Sequence, residues 1–247
     1  MGTGVVGSAI KLVAMPPDSK TILRGHLGGE KLATWSDPMP LEDVKTAGRN
    51  LGVTINDIML AGVTGSLRRY LLARNALPDK VNTRVIIPVD LRPTEEEIKL
   101  GNRFALVFLA LPLNVADPVK RLKEVQRRMN KIKRSQDAIT AFGILGLLGT
   151  VPGKLEEWGL RFFGAKGTAV VSNVPGPQHR IHMADSPLKH VMFWVPQAYS
   201  VSMGISLLSY AGQILLGVTT DTCLVQDPEA IVTGMQQEID ALIALSH

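Results

Sequence analysis

Thr54, Asn56 and Asp57 open the stretch Thr54–Tyr70 (TINDIMLAGVTGSLRRY), and their types and spacing are the first in the chain that could do chemistry. Thr54 stands where a helix N-cap belongs, and Asp57 follows three residues later. That spacing lets the Thr54 hydroxyl accept from the third helical N–H while the Asp57 carboxylate reaches back to the cap. A carboxylate there also complements the positive end of the helix dipole. Asn56 has no such local duty. Its amide either closes the turn or offers itself to an anion or a polarised oxygen beside free backbone N–H groups. Asn173, in the strand-end and turn sequence Ser172–Pro177 (SNVPGP), has the same two readings, a ligand contact or a satisfied turn.

The histidines are His26, His179, His182, His190 and His247, and none has a Ser, Cys or carboxylate at a spacing that fixes a triad. His179-x-x-His182 lies in a Pro-bounded loop without cysteines, so it reads as a solvated loop rather than a metal site. No phosphate-binding Gly-x-x-x-x-Gly-Lys-Ser/Thr loop and no dinucleotide fingerprint occurs.

Elements that must position these residues follow from periodicity. From Ile58 to Leu67 the helix has no charged face, which marks it as buried all round. Gly62 and Gly65 point to close packing against another element; Arg68 and Arg69 are where it should meet water. Leu41–Leu51 is an amphipathic helix ended by Gly52. Thr83–Val89 reads as a strand whose Pro88 belongs at an edge or bulge. Arg103–Leu113 is a continuous apolar run expected as a central strand. Asp117–Asp137 is a helix with an apolar stripe (Leu122, Val125, Met129, Ile132) and a basic face (Lys120, Arg121, Lys123, Arg127, Arg128, Lys131, Lys133, Arg134). That face is either solvated, laid on an anionic lipid surface, or in contact with a phosphate-bearing ligand. A second helical region spans Ala138–Phe163, interrupted at Pro152-Gly153. Strands are expected at Thr168–Val174 and Lys189–Pro196, a hairpin at Ser200–Tyr210 and Gln213–Thr220, and a last helix from Asp227-Pro228 to Leu245. Residues 1–40 look irregular, with a short strand around Lys31–Trp35, and read as a connector. The fold class is α/β, a mixed β-sheet flanked by helices.

Composition sets outer bounds. The chain has 247 residues and a formal net charge of +5, modest for its size, with aromatics at 5%. That permits attraction to acidic ligands or anionic membranes and argues against base stacking on nucleic acid. The single cysteine, Cys223, excludes an intrachain disulfide and fits a reducing cytoplasm. The opening residues lack a secretory pattern, Val6 breaks a myristoylation pattern, and the longest apolar stretch, Ala138–Val151, is too short to span a bilayer. A soluble or peripheral protein is expected, cytoplasmic or at the face of a membrane or lipid inclusion.

Together these segments resemble the C-terminal half of the bacterial wax ester synthase/acyl-CoA:diacylglycerol acyltransferase family. The stretches that carry the resemblance are PPDSKTILRGHLGGEKLATWSDPMPLEDVK, VTINDIMLAGVTGSLRRYL, IPVDLRP, LGNRFALVFLALPL, DPVKRLKEVQRRM, VVSNVPGP, FWVPQ, GISLLSYAGQILLGVTTD and DPEAI, in the family's order. The resemblance implies one half of a chloramphenicol acetyltransferase-like fold, in which two similar halves meet at a tunnel. It implies a connector over 1–40 and an acyltransferase domain over 41–247. It implies acyl transfer from acyl-CoA, as co-substrate and with no bound cofactor, to diacylglycerol or a long-chain alcohol. The family's Asn-Asp motif falls on Asn56, expected to face the tunnel and polarise the reacting oxygen, and on Asp57, expected to support it. Asn173 and Gln197 are the substrate-binding candidates, and no metal is expected.

The departure is as informative. The family's base is the second His of an HHxxxDG motif in its N-terminal half, and this chain has no His-His pair. The expected partner is therefore a His-bearing N-terminal half, on the same gene product or a separate chain, and this polypeptide alone is expected to be a poor catalyst. The other reading is a non-catalytic lipid-binding or interaction domain built on Ala138–Val151 and the basic helix.

Overall fold

A computed structural model describes residues 2–78, 82–91, 104–135, 140–141, 143–144, 153–197 and 200–246. In chain order the elements are α1 (Gly2–Ala14), β1 (Lys31–Trp35), β2 (Met39–Pro40), α2 (Leu41–Leu51), α3 (Ile55–Ala73), β3 (Arg84–Asp90), β4 (Phe104–Ala110) and α4 (Pro118–Arg134). They continue with α5 (Gly153–Gly164), β5 (Ala169–Pro175), the short pair β6 (His182–Met183) and β7 (Ser186–Pro187), β8 (Met203–Tyr210), β9 (Gln213–Asp221) and α6 (Pro228–Ala244).

Seven strands form one sheet in the order β1-β9-β8-β5-β3-β4, with β2 also on β9. Strand β5 runs parallel to β3 and β8, and the other pairs are antiparallel, so the sheet is mixed as expected. The β8–β9 hairpin turns on Ala211 and Gly212, both at positive φ, as a two-residue hairpin turn requires.

Side chains alternate strictly across this sheet. Val85, Val107, Val171, Ile205 and Val218 face the helices and join Ile58, Val63, Leu122 and Ile239 in the main core. The other face carries Ile86, Leu106, Phe108 and Val170, which line an apolar groove with Phe193 and Val195. The run through β4 is continuously apolar because both its faces meet apolar surroundings. It is nevertheless the last strand in the sheet order, not a central one. Pro88 lies in an interior strand, not at a sheet edge. The β3–β5 pairing covers only Val85 and Ile86, so at Pro88 the strand has β4 alone as a paired neighbour.

Helix α3 packs against α6, α4 and α2, and α4 and α6 in turn lie on the sheet. Its glycines do what their positions suggest: a Cβ on Gly62 would meet Ile239 at 2.7 Å, and one on Gly65 would overlap Glu238. The Ser66 hydroxyl donates to Ile231 O at 2.6 Å. At the C-terminal end the arginines do more than meet water. Arg68 donates to Leu113 O at 2.7 Å, and Arg69 pairs with the buried Glu238. The other oxygen of Glu238 receives Arg121 of α4, whose guanidinium also donates to Val115 O and Ala116 O at 2.8 Å. Arg121 thus leaves the basic face and becomes part of a buried ionic lock among α3, α4 and α6.

Two further expectations differ from the structure. Gly2–Ala14 is helical rather than irregular. The Lys166 ammonium donates to Val13 O at 2.9 Å and Met15 O at 2.5 Å, so a residue far along the chain satisfies this helix end. Lys189–Pro196 is not a strand. It lies as an extended strap across the sheet's outer face, seated on two glycines: a Cβ on Gly204 would meet Val195 O at 2.9 Å, and one on Gly217 would meet Trp194 at 3.0 Å. Its β-like composition reflects packing on a flat surface, with no strand edge to pair. The rest of 1–40 is also tied down. Asp18 accepts from Arg84 N at 2.7 Å, Arg84 Nη1 at 2.8 Å and Thr168 Oγ1 at 2.9 Å. Most of the apolar segment Ala138–Val151 lies outside the described residues.

Two stability outcomes follow from these contacts. Glu238→Ala strands a buried guanidinium, and urea denaturation is expected to show a loss of about 3–5 kcal/mol. Asp221, fully buried, accepts from the N–H groups of Gly28, Gly29 and Cys223 and from the Lys31 ammonium at 3.0 Å. Burial alone would raise its carboxyl; the Gly28 N–H, the Lys31 ammonium and the Gly29 and Cys223 N–H groups outweigh it and bring its pKa to about 2. An unfolded aspartate titrates near about 3.9, so the native state holds the proton less tightly and its stability gain is present above that value. Asp221→Asn should therefore cost about 2 kcal/mol at neutral pH, and its gap from the parent should close as pH falls from about 4 to about 2.

Candidate active site

The capping box is formed at the start of α3. Asp57 N donates to Thr54 Oγ1 at 3.2 Å, while Thr54 N and Thr54 Oγ1 donate to Asp57 Oδ2 at 3.0 and 2.7 Å. Asp57 is buried and both its roles face its own helix. That ring of bonds holds the first turn rigid and leaves the next side chain, Asn56, turned outward.

Upstream, α2 ends on Gly52 at φ 63°, whose N–H and that of Val53 return to Arg49 O and Gly48 O. Because only Gly52, Val53 and the cap separate α2 from α3, the two helices bracket one edge of a cleft. The opposite wall comes from the carboxyl end of β5 and the end of β8. Asn173 shares parity with Ala169 and Val171, so it points to the helix side of the sheet. There its Nδ2 donates to Asn56 Oδ1 at 3.2 Å.

The cleft around this pair encloses about 960 Å³ counting its open mouth. Leu41, Ile55, Met59 and Ile214 make it largely apolar, and Lys45, Asn56, Asn173 and Ser209 supply polar groups. With its oxygen engaged by Asn173, Asn56 keeps its own NH₂ as a donor toward the cleft. Such a donor in a mostly apolar site can stabilise negative charge growing on an acyl oxygen.

Asn56, Asp57 and Asn173 are brought together. Gln197 is not: it sits on the other face of the sheet, where its amide donates to Thr219 O at 2.8 Å and to Thr219 Oγ1. Among the described residues, no histidine lines the Asn56 cleft. Among the described residues, no cluster of three His, Cys, Asp or Glu could hold a metal, and no helix is long and apolar enough to cross a membrane. Lys45 and Ser209 escaped the sequence reading. Lys45 is one charged residue of the amphipathic helix Leu41–Leu51, and Ser209 one polar residue of a strand, so neither carries a local signal. Only the convergence of α2, α3, β5 and β8 singles them out.

Known proteins resemble this chain in sequence and in fold. The family model for the WS/DGAT C-terminal domain matches residues 100–243. A putative diacylglycerol O-acyltransferase of Mycobacterium bovis is 27% identical over 212 residues, 84% of this chain and 46% of that protein. Another from Mycobacterium tuberculosis is 33% identical over 190 residues, 72% of this chain and 37% of that protein. The chain thus spans less than half the length of these relatives. The wax ester synthase/diacylglycerol acyltransferase from Marinobacter aquaeolei VT8 superposes with a TM-score of 0.69 at 18% identity, covering 99% of this chain and 58% of that one. A condensation domain of the enacyloxin polyketide synthase superposes at 0.59 and 17%, covering 97% and 46%. At these identities the two structures speak for the fold alone, a CoA-dependent acyltransferase-like half, while the match over 100–243 assigns the lineage: this chain belongs to the WS/DGAT C-terminal domain family.

Proposed function

We propose that this chain is one half of an O-acyltransferase site that moves a fatty acyl group from acyl-CoA to diacylglycerol or a long-chain alcohol. The observation that carries the reading is the Asn56–Asn173 pair at the mouth of a largely apolar cleft, lined among the described residues by no histidine. The diacylglycerol O-acyltransferase names of the curated relatives support the reaction class. Their greater length supports a second half that supplies the base.

In this mechanism a His of the N-terminal half takes the proton of the acceptor hydroxyl. The acceptor oxygen attacks the thioester carbon, and the Asn56 NH₂ donates to the oxyanion that forms. The carbonyl reforms, the carbon–sulfur bond breaks, and the imidazolium returns its proton to the CoA thiolate. No metal and no covalent enzyme intermediate enters the scheme. Asn173 orients Asn56, and Asp57 holds the turn on which Asn56 stands. Residues 1–40 serve as the connector from the other half and 41–247 as the acyltransferase domain. The cations at the end of α4, Lys131, Lys133 and Arg134, which pair with no carboxylate among the described residues, suit a peripheral position on an anionic lipid surface.

The assay is radiolabelled acyl-CoA turnover by the chain alone and by the chain joined to an N-terminal half. Alone, it should run about 10²–10⁴-fold slower for want of the base; equal rates would refute the bipartite reading. In the joined enzyme Asn56→Ala should lower kcat by about 10–10³-fold while leaving unfolding free energy within about 0.5 kcal/mol. Asp57→Ala should show the opposite emphasis, a loss of about 1–2 kcal/mol in stability from the broken cap.

A further inference from the structure

Two side chains of α4 turn away from solvent and grip the backbone that leads to Asn56. The Lys123 ammonium donates to Leu51 O at 2.5 Å, and the Gln126 amide donates to Gly52 O at 3.0 Å. Three residues apart, they lie on one side of the helix and act as a pair. Lys123 thus leaves the basic face, as Arg121 does, but for a different purpose.

Leu51 is the last residue of α2 and Gly52 is its C-cap, so both carbonyls belong to the set that a helix end leaves without an intrahelical partner. A cation there also complements the negative end of the α2 dipole. Both bonds are solvent-exposed. Water would satisfy these oxygens nearly as well, so the bonds add little as solvation. What they add is position, because they tie the α2–α3 link to a third helix.

From that tie to Asn56 the backbone has no slack. Gly52 N donates to Arg49 O at 3.2 Å and Val53 N to Gly48 O at 2.9 Å. A Cβ on Gly48 would meet Val53 O at 3.0 Å, so the link is folded tightly onto α2. Thr54 then closes the capping box with Asp57. Helix α4 is itself anchored. Leu122, Val125 and Met129 are in the core, Arg128 donates to Ala110 O at the end of β4 at 2.8 Å, and Arg121 closes on Glu238. Asn173 comes from β5 of the same sheet. One route from the sheet therefore runs along β5 to Asn173, and another through α4, Lys123 and Gln126 to Asn56. The 3.2 Å bond between the two amides closes the loop. Burial of α3 sets where its first turn emerges; the tie from α4 sets the last fraction of an ångström.

We propose that Lys123 and Gln126 are positioning residues of the acyl-transfer site, holding Asn56 in register with Asn173 without touching substrate. Both end on backbone oxygens, and neither lines the Asn56 cleft. A cap that only stabilises acts on the folding equilibrium and leaves the amide pair as it is. A positioning contact moves the pair, and acyl transfer responds steeply to a small displacement of a donor aimed at the oxyanion. The kinetic consequence rests on the acyltransferase reading above; the geometric one does not.

The geometric test uses this chain by itself. The side-chain amide NMR signals of Asn56 and Asn173 are identified by their loss in Asn56→Ala and Asn173→Ala, and Asn173→Ala also shows where the Asn56 signals fall once the bond is broken. Gln126→Glu keeps the shape and removes the donor, and Lys123→Met keeps the stem and removes the ammonium. Neither side chain is buried, so the fold survives both. Together the two substitutions should carry the Asn56 signals most of the way to their Asn173→Ala position. Signals left in place overturn the proposal, whatever happens to thermal stability.

In the joined enzyme the same pair should lower kcat about 5–20-fold, with KM for acyl-CoA and for the acceptor within about twofold. Lys123→Arg keeps a donor of similar reach and should lose far less than Lys123→Met. In an Asn56→Ala background the pair should cost less than about twofold, since residues that act through one group are not additive. A loss of equal size in that background places the effect elsewhere and overturns the proposal, as does a raised KM with kcat unchanged. If the amide signals move and the joined enzyme transfers no acyl group, the positioning stands and the acyltransferase reading falls. If the joined enzyme turns over at a kcat that the pair leaves untouched, that reading stands and the positioning falls.

Discussion

A helix with no polar side has to be enclosed on every side, and that constraint organises this chain. Helix α3 is buried from Asp57 to Leu67. Helices α6, α4 and α2 pack against it, and its apolar residues join those of the sheet in one core. Glycines at Gly62, Gly65 and Gly234 let α6 approach closely, and the gap left at Gly65 is filled by Glu238. A carboxylate in that position is affordable only because Arg69 and Arg121 converge on it. Once α3 is fixed in this way, its N-terminal turn has one place to emerge, at the carboxyl end of β5. Asn56 meets Asn173 there as a consequence.

The division of labour inside that turn is physical. Thr54 and Asp57 spend their hydrogen-bonding capacity on each other and on the backbone, so they are structural. Asn56 spends only its oxygen, on a residue from the far wall, and keeps a donor for whatever enters the cleft. A single turn thus separates rigidity from chemistry. The same economy appears on the opposite face of the sheet. Gly204 and Gly217 flatten the surface so that an extended strap can lie on it and carry Trp194 to the side of Trp35.

Local patterns were legible where the chain's own neighbours decide the outcome. The capping box, the Gly52 stop, the Ala211-Gly212 hairpin and the stripe on α4 were all readable, because each is set by residues within a turn or two. The lineage was readable too, from ordered motifs spread along the chain. Asn56 and Asn173 could be named singly as candidates, since an amide without a local duty is visible in one dimension.

What the sequence by itself determined is therefore the type of the elements that carry their own caps, turns and periodicity, which faces are apolar, and that no His-His pair is present. Tertiary structure alone decided which of these meet. It made Arg121 a buried lock instead of a surface charge, and it made Gly2–Ala14 a helix by closing its end with Lys166. It laid Lys189–Pro196 across the sheet instead of within it, moved β4 to the end of the strand order, and parted Gln197 from the asparagine pair. The reason is common to all of these. Capping and periodicity act over a few residues, whereas ion pairs, sheet order and strap packing join groups far apart in the chain, and their partners are chosen by the fold as a whole.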